Sequence, residues 1–211
     1  MRVDWVPLSA SALVAGAVAL SVSGVMLPDA SGAETLQVVE QNRGEWMAMA
    51  ALYFVASVGL TAGMPAVLTL FHDRGARTGL TAVTVFTVGA VGVAGLAMLM
   101  AFIGALVEEQ AVDPVVFDAV TSEVGFSAFL YSWVAAFYLG EVLLAVALLR
   151  AGSTPLWIPL LLLAHVATFP LRAVLPEEVS NLAVLLLTVG LSGLGIAANQ
   201  QHIRDEVRVR V

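Results

Sequence analysis

The sequence predicts an all-α polytopic membrane protein, with six transmembrane helices in one bundle that includes residues 1–211. Hydrophobic residues make up 60% of the chain, only 12% of the residues are charged, and the mean hydropathy is +0.94. A soluble domain is roughly 25% charged, so most of this chain must contact lipid. The apolar residues also fall into six stretches, each long enough to cross a bilayer.

Each predicted span ends at a polar or charged connection. The first span follows Arg2 and is too long for the apolar core of a signal peptide, so we expect it to be retained. Between the third and fourth spans we expect a short interfacial helix that is capped near Asp113 and Pro114. The six predicted spans are residues 8–27, 46–71, 79–107, 124–149, 155–175 and 179–198.

The charges predict the orientation of the chain. With six spans, one side of the membrane holds seven of the nine basic residues, and the opposite side holds eleven of the 16 acidic residues. The positive-inside rule then places both termini in the cytoplasm. The seven are Arg2, Arg74, Arg77, Arg150, Arg204, Arg208 and Arg210. The bias toward Ala, Val, Gly, Leu and Arg is typical of a GC-rich prokaryotic genome, so the predicted location is a prokaryotic plasma membrane.

The composition also excludes several kinds of chemistry. The chain has no cysteine and no lysine, which excludes disulfides, thiolate metal sites, cysteine nucleophiles and lysine imines. Of the three histidines only His165 lies inside a predicted span, so a haem with two histidine ligands is not expected. Motifs of zinc proteases, serine hydrolases and phosphate-binding loops are missing. The sequence therefore predicts neither a metal nor a cofactor. Because the basic residues form no continuous face, it does not predict a nucleic-acid partner either.

Glu141, His165 and Arg172 are ionisable residues inside apolar stretches, where charge is expensive and is usually paired or functional. Glu141 lies roughly 12 to 14 Å into the bilayer counting from Arg150, and His165 lies about 15 Å in from the same side counting from Pro155. The two side chains are therefore expected at similar depth on neighbouring antiparallel helices.

Helical spacing extends this pair into a predicted pocket. Thr168 and Arg172 share the helix face of His165, while Tyr138 and Tyr131 precede Glu141 on the other helix. These four residues, with Glu141 and His165, are the candidate ligand-binding set. Two structural readings stay open: the pair can be a hydrogen bond that fixes helix packing, and Arg172 can extend to the headgroups, which we favour over direct ligand contact.

Small and mildly polar residues recur at helical spacing in three spans. The glycines indicate close packing within the molecule. The polar stripes predict faces that turn toward the bundle interior, toward Glu141 and His165. The glycines are Gly59, Gly63, Gly89, Gly92, Gly95, Gly190, Gly193 and Gly195. The polar residues are Tyr53, Ser57, Thr61, Asn181, Thr188, Ser192 and Asn199.

The connection into the fifth span reads LeuLeuArgAlaGlySerThrProLeuTrpIle, residues 148–158. With the short basic turn after the second span and the acidic loops on the opposite side, this layout loosely resembles small six-span prokaryotic membrane families of unknown function. The resemblance implies the six-span architecture. It implies no catalytic residues.

Three functions are compatible with the predicted pocket. The first is a protein that binds a small molecule or membrane lipid, such as a proton-coupled transporter or a transporter subunit. Many transporters are built from two inverted repeats, and the two three-helix halves of this sequence show no obvious repeat. A homodimer would then supply the second half of such a transporter. The second is an isomerase or cyclase for an apolar lipid, with Glu141 as general acid and His165 or Tyr138 as its partner. The third is a structural or partner-binding module.

Overall fold

The computed structural model describes residues 4–28, 30, 32–71, 75–171 and 182–210. All regular secondary structure in these ranges is helical, which confirms the all-α class for this part of the chain. The helices are α1 (Trp5–Met26), α2 (Ala33–Gln41), α3 (Arg43–Leu68), α4 (Ala76–Glu108), α5 (Pro114–Thr121), α6 (Val124–Ala151), α7 (Trp157–Leu171) and α8 (Val184–Arg210).

Five of these helices, α1, α3, α4, α6 and α8, are long and apolar enough to cross a membrane. The predicted fifth span, 155–175, corresponds to α7, which has 15 residues and is about 22 Å long. This is shorter than a hydrocarbon core of about 30 Å. Residues 172–181 lie outside the described part of the chain. The structure therefore supports five candidate spans, whereas the sequence predicts six.

The five long helices and α7 pack in a closed ring. In the order α1, α3, α4, α6, α7 and α8, each helix contacts the next, and α8 contacts α1. Neighbours are antiparallel: Trp46 near the start of α3 donates from Nε1 to the carbonyl oxygen of Met100 near the end of α4 at 2.7 Å. At the other end of the bundle, Asp4 before α1 lies 2.8 Å from Nε2 of His202 late in α8.

The two ends of the bundle differ in charge. We define the acidic face as the end that carries α2, α5 and the start of α6, and the arginine face as the opposite end, where α6 meets α7. On the acidic face, Asp113 caps α5 through Val115 and Val116, as the sequence predicts for a short interfacial helix. Asp118 of α5 then accepts a hydrogen bond from the backbone N–H of Ala33, which fixes α5 against the start of α2.

Close approach of α1 to α3 depends on glycines in both helices. A Cβ atom on Gly63 would lie 2.5 Å from Cβ of Leu13, and one on Gly59 would lie 2.7 Å from Cα of Gly16. The prediction that Gly59 and Gly63 serve packing within the molecule is confirmed. For Gly95 it is wrong, because a Cβ there would meet nothing within 4 Å.

Candidate functional site

Glu141 on α6 and His165 on α7 form a buried pair. Nδ1 of His165 lies 3.0 Å from Oε1 and 2.9 Å from Oε2 of Glu141. Glu141 has 0% exposed surface and His165 has 7%. The pair lies inside the bundle, about 15 Å from the Ala151 end of α6. The structure thus brings together the two ionisable residues that were expected at the same depth, and their role in binding stays a prediction.

Aromatic rings hold the imidazole in place. Tyr138, one helical turn before Glu141, stacks on His165 with ring centroids 5.6 Å apart and an interplanar angle of 19°. The ring of Phe169, one turn after His165, lies 4.7 Å from that of Tyr138. The imidazole is therefore fixed by Glu141 at its Nδ1 edge and by Tyr138 on one ring face.

The position of both carboxylate oxygens indicates how the pair is protonated. A single Nδ1–H can be shared between two carboxylate oxygens, whereas a bare Nδ1 would bring its lone pair against the unprotonated oxygen of a carboxylic acid. We therefore assign the hydrogen to Nδ1 of His165, with Glu141 as the acceptor. In this arrangement the hydrogen bond is charge-assisted.

A cavity of about 280 Å³ lies between the helices on the acidic-face side of the pair. All six helices of the ring contribute to its wall, with Leu20 from α1, Tyr53 from α3, Gly92 from α4 and Leu187 from α8 among them. His165 also lies in the wall, at its deep end. The remaining lining is mostly aliphatic and aromatic, which is typical of sites for apolar small molecules, although this cavity is near the lower end of their range of roughly 300 to 1,000 Å³.

The other predicted site residues occupy different positions. Tyr138 and Tyr131 both lie in the cavity wall, and Tyr131 is 65% exposed, so it marks the side on which the cavity opens. Thr168 is not part of that wall, and its hydroxyl donates back to the carbonyl oxygen of His165 at 2.6 Å. Arg172 lies outside the described residues. Sequence spacing therefore placed two tyrosines at the cavity. The hydroxyl of Thr168 hydrogen-bonds within its own helix, and a part for Thr168 in ligand binding stays a prediction.

Two residues of the predicted polar stripes, Ser57 and Thr188, hydrogen-bond to neighbouring helices. Ser57 on α3 donates to the carbonyl oxygen of Ala90 on α4 at 2.7 Å. Thr188 on α8 hydrogen-bonds Ser21 of α1 and also lies 3.2 Å from the carbonyl oxygen of Ala17. Among the other members, Tyr53 reaches the cavity wall, while Asn181 lies outside the described residues. The hydroxyls of Ser57 and Thr188 thus connect helices.

Several residues of the cavity wall were missed by sequence reasoning. Trp133 and Leu130 line it from α6, and Leu187 lines it from α8. Trp133 lies against Gly92: a Cβ atom added to Gly92 would be 2.5 Å from Cβ of Trp133. The run of glycines in α4 was a signal for close packing, but nothing in it indicated that the same region borders a cavity.

The comparisons with known proteins give no further assignment. No protein-family model, no curated protein and no solved structure matches this chain. Across the residues that the structure describes, no group of three His, Asp or Glu side chains could hold a metal ion. The candidate site is therefore defined by its own geometry: an apolar cavity inside a helix ring, with a buried carboxylate–imidazole pair at its deep end.

Proposed function

We propose that this integral membrane protein binds an apolar small molecule or lipid in the cavity beside His165. The observation that carries the proposal is the position of the buried pair: His165 lies in the cavity wall, while Glu141 behind it is fully buried. A cavity with mostly apolar walls and a few polar groups is the usual form of a small-molecule site.

Energetics support a binding role for the pair. Removing a carboxylate and an imidazole from water is costly, and replacing a buried ion pair by apolar residues of similar volume is often neutral or stabilising. A fold that needed only packing at this position would gain nothing from Glu141. The pair is therefore better explained as the polar contact of a ligand than as a source of stability.

The proposal includes an orientation in the membrane. We place the chain in a prokaryotic plasma membrane as a six-span protein, with α7 as part of the fifth span, both termini in the cytoplasm and the acidic face outside. The excess of arginine at the arginine face supports this orientation. The cavity then opens toward the outer half of the bilayer, because its lining on α6 begins at Leu130, near the acidic-face end of that helix.

Photolabelling tests whether the cavity binds an apolar molecule. The probe is a ten-carbon alkane with a diazirine at one end, which inserts into nearby side chains on illumination. We expect saturable labelling of the α6 segment that contains Leu130 and Trp133, and of the α8 segment that contains Leu187. Labelled peptides are identified by mass spectrometry of the protein purified in detergent.

Two matched variants of α4 provide the control. Val93 lies in the cavity wall, whereas Val91 is exposed on the outside of the bundle. Val93→Phe places a larger ring in the cavity and should reduce saturable labelling at least tenfold, while Val91→Phe should leave it unchanged. Labelling that does not saturate, or that falls only on outward-facing positions such as Leu139, contradicts the proposal.

A further inference from the structure

The proposed function leaves the chemistry of the ligand open, and the buried pair restricts it. Resting on that proposed function, we infer that the ligand is an uncharged, largely apolar molecule with a carbonyl-type oxygen, and that this oxygen accepts a hydrogen bond from Nε2–H of His165.

The described part of the cavity wall carries no charged side chain that would pair with an ionic ligand. Within the described residues its lining contains no Asp, Glu or Arg. Both oxygens of Glu141 are already engaged by His165. Among the described wall residues an anion or a cation would find no opposite charge to replace its hydration, which is far more costly than burying a neutral group.

The contacts of His165 leave one polar atom of its ring for a ligand. Nδ1 is occupied by Glu141, which does not itself line the cavity, and Tyr138 covers one ring face. Since His165 does line the cavity, the edge that carries Nε2 is the one that remains for it. Nε2 has no hydrogen-bond partner among the residues that the structure describes.

Proton counting decides whether Nε2 donates or accepts. Among the described residues of the wall no cation lies beside the pair, and a buried pair with a net charge of −1 is then strongly disfavoured, so a neutral state dominates. The neutral state that keeps the shared hydrogen on Nδ1 is a carboxylate with an imidazolium, in which both ring nitrogens of His165 carry hydrogen. In this state Nε2–H is a donor, so a matching ligand supplies an acceptor.

Competition for the photolabelled cavity tests the inference. Five ten-carbon competitors differ in one group each: decane has no polar group, 2-decanone has an acceptor only, 2-hexylpyrrole has an N–H donor only, decanoate is an anion and decylammonium is a cation. Their concentrations are compared as amounts partitioned into the detergent phase. We expect 2-decanone to displace the probe at a concentration about fivefold lower than decane, which is the effect of one net hydrogen bond. The pyrrole should do no better than decane, and the two ions should do worse.

A double variant checks that the preference originates at the pair. Glu141→Leu combined with His165→Phe removes both polar groups and keeps side chains of similar volume, so it avoids an unpaired buried charge. Decane should still compete in this variant, whereas the advantage of 2-decanone should disappear. Size-exclusion chromatography of the purified variant establishes that it is folded.

The failures of the two proposals are distinguishable. If no competitor displaces the probe and labelling does not saturate, then the cavity does not bind apolar molecules and both proposals are wrong. If decane, 2-decanone and the pyrrole compete equally, or if the pyrrole or an ion competes best, the cavity binds molecules but the inferred ligand chemistry is wrong. Nitrogen-15 NMR of labelled histidine gives an independent measurement. The signals of His165 are the ones that disappear in the double variant. If they show that Nε2 carries no hydrogen, the inference is wrong.

Discussion

Glu141 and His165 are the residues at which single substitutions have the largest expected effect. Both carboxylate oxygens lie within hydrogen-bond distance of Nδ1, and Glu141 has no exposed surface. Replacing one partner leaves the other polar group buried without its hydrogen bond. Replacing both removes the two polar groups together, so the effects of the single substitutions should not add.

We expect His165→Phe to lower the free energy of unfolding by about 3 kcal/mol, because it leaves Glu141 buried without a partner. Adding Glu141→Leu in the same chain should restore most of that loss. Reversible unfolding in mixed detergent micelles, measured for the wild type, both single variants and the double variant, gives the coupling free energy. Strictly additive losses would show that the two side chains do not depend on each other.

Glu123 gives a residue-scale prediction outside the apolar spans. Its side chain accepts a hydrogen bond from the backbone N–H of Phe126 at 2.6 Å and caps α6. The backbone N–H groups of Gly125 and Phe126 hold the pKa of Glu123 below its usual value. A carboxyl group whose pKa is lower in the folded state stabilises the fold above its unfolded pKa, which is roughly 4.3, and this contribution disappears as the pH falls through the lower folded value.

We therefore expect Glu123→Ala to be less stable than the wild type at neutral pH, with a difference that shrinks as the pH falls below roughly 4.3. The measurement is the unfolding temperature of both proteins between pH 7 and pH 3. Glu40→Ala, at an exposed position of α2, serves as the matched control. A wild-type advantage that stays constant over the whole range would contradict the capping role of the ionised carboxylate.

At the scale of elements, the distances between helices are set by where glycines meet a neighbouring backbone. Gly59 faces Gly16 and the carbonyl oxygen of Ala12 across the α1–α3 contact, while Gly95 on α4 faces open space. Both glycines belong to similar apolar runs, so the composition of the run does not show which glycine contacts a neighbouring helix. A methyl group is excluded at the first position and tolerated at the second.

Gly59→Ala should lower the free energy of unfolding by about 1–3 kcal/mol, because the added methyl group forces α1 and α3 apart. Gly95→Ala should be neutral or stabilising by up to about 1 kcal/mol, because alanine is the better helix former. Thermal unfolding of the two variants, purified side by side, compares them directly. A Gly59→Ala variant as stable as Gly95→Ala would argue against the described α1–α3 contact.

At the scale of the whole molecule, the closed ring places the cavity and the two charged faces in a fixed relation. The cavity is nearer the acidic face, and Leu144 and Leu148 of α6 are buried in the half nearer the arginine face. The ligand would therefore enter from the acidic-face side. Which side of the membrane this is depends on the orientation of the whole bundle.

Single cysteine variants test that orientation, since the chain has no cysteine of its own. Gln37→Cys lies on α2 at the acidic face, and Gln200→Cys lies on α8 near the arginine face. In intact cells a membrane-impermeant maleimide should label only Gln37→Cys, and Gln200→Cys should react after permeabilisation. The reverse pattern would invert the proposed orientation. Labelling of both in intact cells would put the two positions on the same side, which contradicts the five spans that the six-span proposal places between them.

The pair and part of the cavity wall could be predicted from the sequence because local spacing determines depth. Counting residues from Arg150 and Pro155 placed Glu141 and His165 at one level, and helical spacing placed Tyr138 and Tyr131 on the same side of α6. Spacing alone could not show how Thr168 hydrogen-bonds, because a hydroxyl that bonds the carbonyl of its own helix looks the same in sequence as one that faces a pocket.

The sequence by itself determined the helical class, the apolar stretches and the segregation of charge, because these follow from the cost of exposing backbone and charged groups to lipid. Only the tertiary structure decided that Gly92 and Trp133 meet at a cavity wall and that Ser57 connects α3 to α4. These contacts depend on the rotation of each helix about its axis and on the order of helices around the ring. Packing between helices fixes both, and the hydropathy of a single stretch carries no information about them.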